Sequence, residues 1–312
     1  MKFSIYQESR QGPRKANQDR VAYCYSRDSL CMIVADGMGG HLHGEVAAQI
    51  ATQFIAEAFQ RQAVPRIEEP FRFLLDTIMN AHLAIIDYAN VRGLLETPRT
   101  TVVACIVQDG LAYWAHVGDS RLYHVRDGRV ETQTKDHSRV QMLVDTGRIR
   151  AEAVAQHPER NKIFNCLGQM APPKIDLSRP TALRHGDTLM LCSDGVWGPL
   201  SNRQICEALL REDIMVAIPT LLDMAESRAG RDGDNLSAIA MTWAEELIDD
   251  EANWISTVEM EPSAYKTTVA QFGRNSQVGQ SGQASPEQGA YLSDDEIERA
   301  IAEIRNAIKK HS

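Results

Sequence analysis

The chain has 312 residues, 43% of them hydrophobic and 24% charged, with a formal net charge of −9. These values suit a globular protein with ample length for a core, in one large domain or two small ones. No apolar run approaches the roughly 18 residues of a membrane span, the opening MKFSIYQESRQG has no basic start and long apolar stretch as a signal peptide would, and the negative balance argues against a general nucleic-acid binder.

In chain order, β-rich runs at 21–25 and 30–35 lead into two helical patterns. One carries Val46, Ile50, Phe54 and Ala58; the other carries Phe71, Leu75, Ile78, His82 and Ile85. Four more runs follow at 101–107, 111–117, 121–125 and 129–134. Gln108-Asp109-Gly110 and Asp127-Gly128 join neighbours with hairpin chemistry, so the sheets should be largely antiparallel. A helix is expected from about Arg139 to a stop at Gly147. Residues 148–180 hold several prolines and few β-branched runs, and read as an irregular insertion over one edge. A strand at 188–192, helices at 202–211 and 219–228, and a strand at 236–243 complete the pattern. Too many strands occur for one small sheet, and the helices cluster between strand groups. The expected fold is an α/β sandwich of two stacked sheets flanked by helices on both sides.

The tail differs from the rest. Residues 245–312 hold 13 acids and 6 bases. Within them, 271–289 are rich in Gln, Gly and Ser and read as a disordered linker. At 292–310 a helical pattern returns: Ser293 with Glu296 forms a capping box, and Ile297, Ile301, Ile304 and Ile308 make an apolar seam. The six cysteines (24, 31, 105, 166, 192 and 206) are scattered and form no C-x-x-C pair. They read as buried thiols rather than disulfides or a zinc site, which agrees with a cytoplasmic location.

Three apolar runs end in Asp followed by a small residue: MIVADGMGG at Asp36, WAHVGDSR at Asp119 and LMLCSDGVW at Asp194. Two further acids immediately precede strands, Asp19 in RKANQDRVAY and Asp234 in RDGDNLSAIAM. Taken singly, Asp-Gly after a strand is usually a turn. If several such acids converged they would repel one another, and cations would be needed to hold them. An all-oxygen donor set suits Mg²⁺ or Mn²⁺ rather than zinc. Two such ions sharing a carboxylate, roughly 3.5–4 Å apart, are the arrangement used on phosphate esters.

The segments GPRKANQDR, VADGMGGHLHGEVAA, TTVVACIV, AHVGDSRLY, TKDHSRVQMLVDTGRI, HPERN, CSDGVW and GDNLSAIAM occur in that order between Gly12 and Met241. As an ordered set they resemble the bacterial branch of the metal-dependent protein phosphatases, the type 2C serine/threonine family. The resemblance implies an α-β-β-α sandwich over 1–244 with a flap at about 139–180, followed by the 245–291 linker and the 292–310 helix, which it does not cover. It implies that Asp36 bridges two core metals, that Gly37 offers one a carbonyl, and that Asp194 and Asp234 complete the other's shell. Asp119, with Asp194, matches a third-metal site. Asp19 matches the acid that orients metal-bound water, and Arg14 the arginine that grips phosphate.

The activity implied is hydrolysis of phosphoserine and phosphothreonine in phosphorylated proteins by a metal-activated water, without a phosphoenzyme. It implies bacterial signalling opposite a Ser/Thr kinase, with Mn²⁺ or Mg²⁺ as cofactor. Neither a nucleic acid nor a membrane is an expected partner, and the C-terminal helix is available to a partner protein.

The sequence departs from the family pattern at a few positions. Gln18 stands where many members have Glu, and Met38 where eukaryotic members have a histidine proposed as general acid. His41 is the candidate substitute, with His43 beside it; the alternative for either is a loop histidine capping the helix at 44. Arg99 replaces the glycine usual before the Thr pair. Two other readings compete. A two-metal nuclease or phosphodiesterase would want a basic groove, and a catalytically dead binding module would not need Asp36, Asp194 and Asp234.

Overall fold

Two short turns show how local chemistry builds the sheets. Asp109 and Gly110 have φ of 53° and 68°, and Asp127 and Gly128 have φ of 49° and 70°. These left-handed pairs match the twist of the strands they join. The computed structural model describes residues 1–38, 43–150, 153–154, 157–160 and 162–244. The 245–291 linker, the 292–310 helix and His41 therefore lie outside the described residues.

The elements begin with β1 (Lys2–Arg10), β2 (Asp19–Tyr25), β3 (Ser29–Asp36), α1 (Gly44–Gln62) and α2 (Pro70–Arg92). Next come β4 (Val102–Gln108), β5 (Leu111–Val117), β6 (Arg121–Arg126), β7 (Arg129–Gln133) and α3 (Arg139–Asp145). The short β8 (Asp176–Leu177) and β9 (Thr181–Ala182) precede β10 (Thr188–Cys192), α4 (Asp194–Trp197), α5 (Asn202–Arg211), α6 (Ile214–Ala229) and β11 (Leu236–Ala244). One sheet has the order β1-β11-β10-β6-β7; the other has β2-β3-β4-β5-β8, with β9 also on β5. The neighbouring strands pair antiparallel.

Side-chain alternation stacks these layers. Leu30, Met32 and Val34 of β3 face inward with Val103, Cys105 and Val107 of β4, and meet Leu189, Leu191, Ile239 and Met241 of the opposite sheet. The intervening Cys31, Ile33 and Ala35 face out and are covered by α1 and α2 through Ile50, Phe59, Leu74 and Ile85. On the other side Met190, Cys192, Ala238 and Ala240 are covered by Ile205, Ile218 and Leu222 of α5 and α6. Strands buried on both faces read as continuous apolar runs, which is why β3, β4 and β10 were legible as strands but their facing was not. The result is the expected α-β-β-α sandwich. Among the described residues no helix is long and apolar enough to cross a membrane.

The structure corrects several element boundaries. β1 was not expected; its partner lies at the far end of the fold, Lys2 opposite Ala244. The helix expected at 219–228 begins earlier: Pro219 sits inside α6, whose N-cap is Asp213 accepting from the Met215 N–H at 2.9 Å. The expected α2 stripe holds at Ile78, His82 and Ile85, which are buried, but Leu75 is exposed and the buried face widens to Phe73, Leu74, Ala81 and Tyr88. The 148–180 insertion reaches the sheet edge through β8, which pairs with β5.

Candidate active site

Antiparallel pairing brings the acids together. Asp19 opens β2 and Asp36 ends β3, and the two are register partners. Asp194 follows β10, Asp234 precedes β11 beside it, and Asp119 lies in the turn from β5 to β6. The five predicted carboxylates thus meet along one end of the two sheets, and they act on one another electrostatically. Burial first, then Asp19, Asp194, Asp119 and Asp234, push the Asp36 carboxyl well above the usual carboxylate range. Burial, then Asp234 and Asp19, raise Asp194 to about 7 despite the nearby Arg14. Asp119 is pushed well up by burial and Asp194, outweighing Arg121. Asp19, 1% exposed, rises to about 6 through burial although it accepts a 2.7 Å hydrogen bond from the Ser193 hydroxyl.

The surroundings of these acids are built tightly. The Asp36 N–H donates to Thr101 Oγ1 at 3.2 Å, and Thr100 Oγ1 donates to the Asp36 carbonyl at 2.8 Å. Gly37 packs so closely on Gln18 and Gly44 that a Cβ would strike both backbones. Arg14 donates to Asp234 at 2.7 Å and to the Gly233 carbonyl at 3.2 Å. Gln18 donates to Glu45 at 3.0 Å. His43 occupies the N-cap of α1 at φ 67° without a side-chain capping bond, its ring 3.7 Å from Glu45.

Sequence reading missed the residues that hold this group in place. Asn235 accepts from the Gln18 N–H at 2.9 Å and donates to the Gln11 and Ala16 carbonyls at 2.8 and 2.9 Å, stapling the Arg14 loop beside Asp234. Trp197 donates its indole N–H to the Asp119 carbonyl at 3.0 Å. Arg121 lies 3.5 Å over the Trp197 ring and grips Asp136 with two 2.8 Å bonds. Asn235 and Arg121 stood inside recognised segments, and a polar side chain beside a predicted site acid was the available signal.

A group of carboxylates, Asp19 and Asp119 buried and the others partly so, whose charges raise the proton affinity of Asp19, Asp36, Asp119 and Asp194 is an unfavourable arrangement by itself, and the donors are all oxygen. Such a set fits hard divalent cations, which reverse the penalty. Two stacked sheets carrying that set at one end present an all-oxygen donor group suited to divalent cations.

The comparisons place it further. Residues 7–217 match the model of the protein phosphatase 2C family. The chain is 33% identical over 198 residues to the serine/threonine phosphatase stp of Listeria monocytogenes, covering 63% of this chain and 78% of that one. It is 34% identical over 229 residues to the serine/threonine protein phosphatase PstP of Mycobacterium tuberculosis, covering 72% of this chain but 42% of PstP. The solved catalytic domain of PstP in complex with two manganese ions is 30% identical, with a TM-score of 0.65 over 78% of this chain and 99% of that one. The chain belongs to the protein phosphatase 2C family.

Proposed function

We propose that residues 1–244 form a metal-dependent protein serine/threonine phosphatase domain. The observation that carries this reading is the convergence of Asp19, Asp36, Asp119, Asp194 and Asp234, with burial and mutual repulsion driving up the proton affinity of the first four. Asp36, Asp194, Asp234 and the Gly37 carbonyl would hold two core ions, Mn²⁺ or Mg²⁺, and Asp119 with Asp194 a third. Bound there, divalent ions supply Lewis-acid polarisation of a phosphoryl group and a strong oxygen nucleophile at neutral pH.

The chain's own residues do the rest. Arg14 reaches the edge of the group, where its planar fork suits two phosphoryl oxygens. It is held there by Asp234 on Nη2 and the Gly233 carbonyl on Nε, which leaves further N–H groups of the half-exposed guanidinium for phosphate. Asp19 is fixed by Ser193, whose own oxygen accepts the Ser237 N–H at 3.1 Å; this rigid buried pair can orient a water. The six cysteines are buried free thiols. Burial pushes Cys24 up to about 12 and raises Cys192, so neither supplies a thiolate nucleophile.

The substrates on this reading are phosphoproteins in a bacterial signalling route opposite a Ser/Thr kinase. A reducing cytoplasm suits the unpaired cysteines. The 139–180 segment would act as a flap beside the site, and the 292–310 segment would dock a partner. His41 is assigned no step.

The test compares p-nitrophenyl phosphate with its bis ester, with and without Mn²⁺. Mn²⁺-dependent turnover of the monoester alone is expected. Preference for the bis ester would turn the reading to a phosphodiesterase, and failure to bind Mn²⁺ by calorimetry would turn it to a dead binding module.

A further inference from the structure

Asp119 lies in a tight turn whose geometry depends on groups outside it. β5 ends at Val117, so the next N–H, that of Gly118, leaves the sheet ladder. Gly118 takes φ +104°, and a Cβ there would overlap the Thr101 side chain. The turn is tied on several sides: Asp119's carbonyl to Trp197, Ser120 Oγ to Thr101 Oγ1 at 2.7 Å, and Arg121 to Asp136. The Gly118 N–H still needs an acceptor, because an unpaired buried backbone donor is costly. It finds Nδ1 of His137 at 3.1 Å, while the His137 N–H donates back to the Gly118 carbonyl at 2.9 Å.

His137 is braced in turn. Asn165 directs its amide nitrogen at the same Nδ1 at 2.7 Å, and its Nδ2 and Oδ1 also hold the Lys174 carbonyl and N–H at 2.7 and 3.0 Å. Those backbone bonds fix which way the Asn165 amide points. The His137 ring stacks on His116, centroids 4.7 Å apart.

His116, His137 and Asp176 bring ligand atoms within 4.8 Å of one another, a set that could suggest a separate metal site. The hydrogen bonds decide against it. Nδ1 of His137 accepts two N–H groups, so the proton of the neutral ring sits on Nε2. That nitrogen is 3.2 Å from Asp176 and has no lone pair for an ion. His116 Nε2 lies 2.8 Å from the Lys135 carbonyl and must carry its own proton, which leaves Nδ1 as that neutral ring's one nitrogen with a free lone pair.

We propose that His137, braced by Asn165, is a positioning residue that holds the Gly118 N–H and thereby fixes the Asp119 carboxylate at the active site. This rests on Asp119 serving that site as proposed above. The side chain works through its Nδ1 acceptor, which makes the role specific to the position of one atom. Asparagine places Oδ1 close to the position of Nδ1; glutamine places its polar atoms further out; alanine has none.

The test uses the full chain and the variants D119N, H137A, H137N and H137Q, with H137A also made in D119N. Mn²⁺ binding is followed by the electron paramagnetic resonance of the free ion, alongside p-nitrophenyl phosphate turnover as a function of Mn²⁺. H137A and H137Q should weaken the weakest Mn²⁺ site by roughly 10- to 100-fold, the usual effect of losing a group that orients a ligand. KM for the ester should stay within about twofold, since Arg14 is untouched. H137N should restore binding to within a few-fold of wild type, and H137A should add nothing in D119N.

If H137A does not fold, the contrast between H137N and H137Q carries the same information, and nitrogen-15 spectra of His137 should show the Nε2–H tautomer unchanged by Zn²⁺. An H137N as weak as H137Q, an H137A effect that adds to D119N, or a Zn²⁺-shifted His137 signal overturns the inference while leaving the phosphatase reading intact. A D119N indistinguishable from wild type removes Asp119 from the site and takes this inference with it.

Discussion

Replacing Asp194 by Asn should stabilise the metal-free protein while destroying its response to metal. The Asp194 carboxyl rises from 3.8 to about 7, through burial and then the Asp234 and Asp19 charges. At about 1.36 kcal/mol per unit that is a ceiling of about 4 kcal/mol for keeping this one group ionised. The acids titrate together and share protons, so about half, roughly 2 kcal/mol, is expected from removing a single charge. For a domain of this size about 2–4 °C accompanies each kcal/mol, which gives a Tm gain of about 4–8 °C. The sign follows from linkage. The folded state keeps protons that the unfolded chain releases above pH 3.8, so the metal-free fold is favoured below that value and loses stability as pH rises through about 7. Thermal melts in EDTA should therefore show the D194N gain at pH 7.5 and little of it at pH 4. With saturating Mn²⁺ the order should invert, because only wild type gains the full binding energy. A D194N protein that melts at or below wild type in EDTA at pH 7.5 would refute the repulsion argument.

Further outcomes follow from the same geometry. Arg14→Ala should raise KM for phosphorylated substrates more than it lowers kcat, since an arginine grips phosphate in both ground and transition states; steady-state kinetics checks this, and an unchanged KM moves phosphate binding elsewhere. Arg121→Ala removes a group stacked on Trp197 and paired bidentately with the buried Asp136; leaving that carboxylate unpaired should cost about 3–5 kcal/mol in urea unfolding, and a loss below 1 kcal/mol would show the pair to be dispensable. Leu191→Ala opens a cavity between the sheets where Leu191 is fully buried, and about 2–5 kcal/mol should be lost by the same assay. A chain ending at residue 246 should keep p-nitrophenyl phosphate turnover within a few-fold of full length, because every proposed site residue precedes it; an insoluble or inactive product would place the tail in the catalytic core.

The parts of the fold legible in the sequence were those decided locally. Asp109-Gly110 and Asp127-Gly128 announce hairpins because few other residue pairs tolerate two positive φ values. Helix α5 lies at the expected 202–211, and the structure shows a Ser201–Gln204 capping box at its start. Strand β1 was not legible, since six of its nine residues are polar or charged and its pairing to β11 spans nearly the whole domain. At the site, acids at strand ends beside Gly or Ser stood out in the sequence. Their supports did not: Arg121, Asp136 and Trp197 are apart in sequence and meet only once β6, the turn before α3, and α4 are in place. His43 shows the converse, a candidate for chemistry that the backbone places at a helix N-cap beside Glu45.

The most direct measurement follows metal binding and chemistry in the same samples. Protein stripped with EDTA would be titrated with Mn²⁺ in a calorimeter, and each point assayed on a phosphothreonine peptide, for wild type and for Asp36→Asn. Catalysis carried by the carboxylate group predicts at least two ions bound by wild type, phosphate release that rises with occupancy, and loss of both in Asp36→Asn. Full turnover by the stripped protein, or by Asp36→Asn with no ion bound, would contradict it.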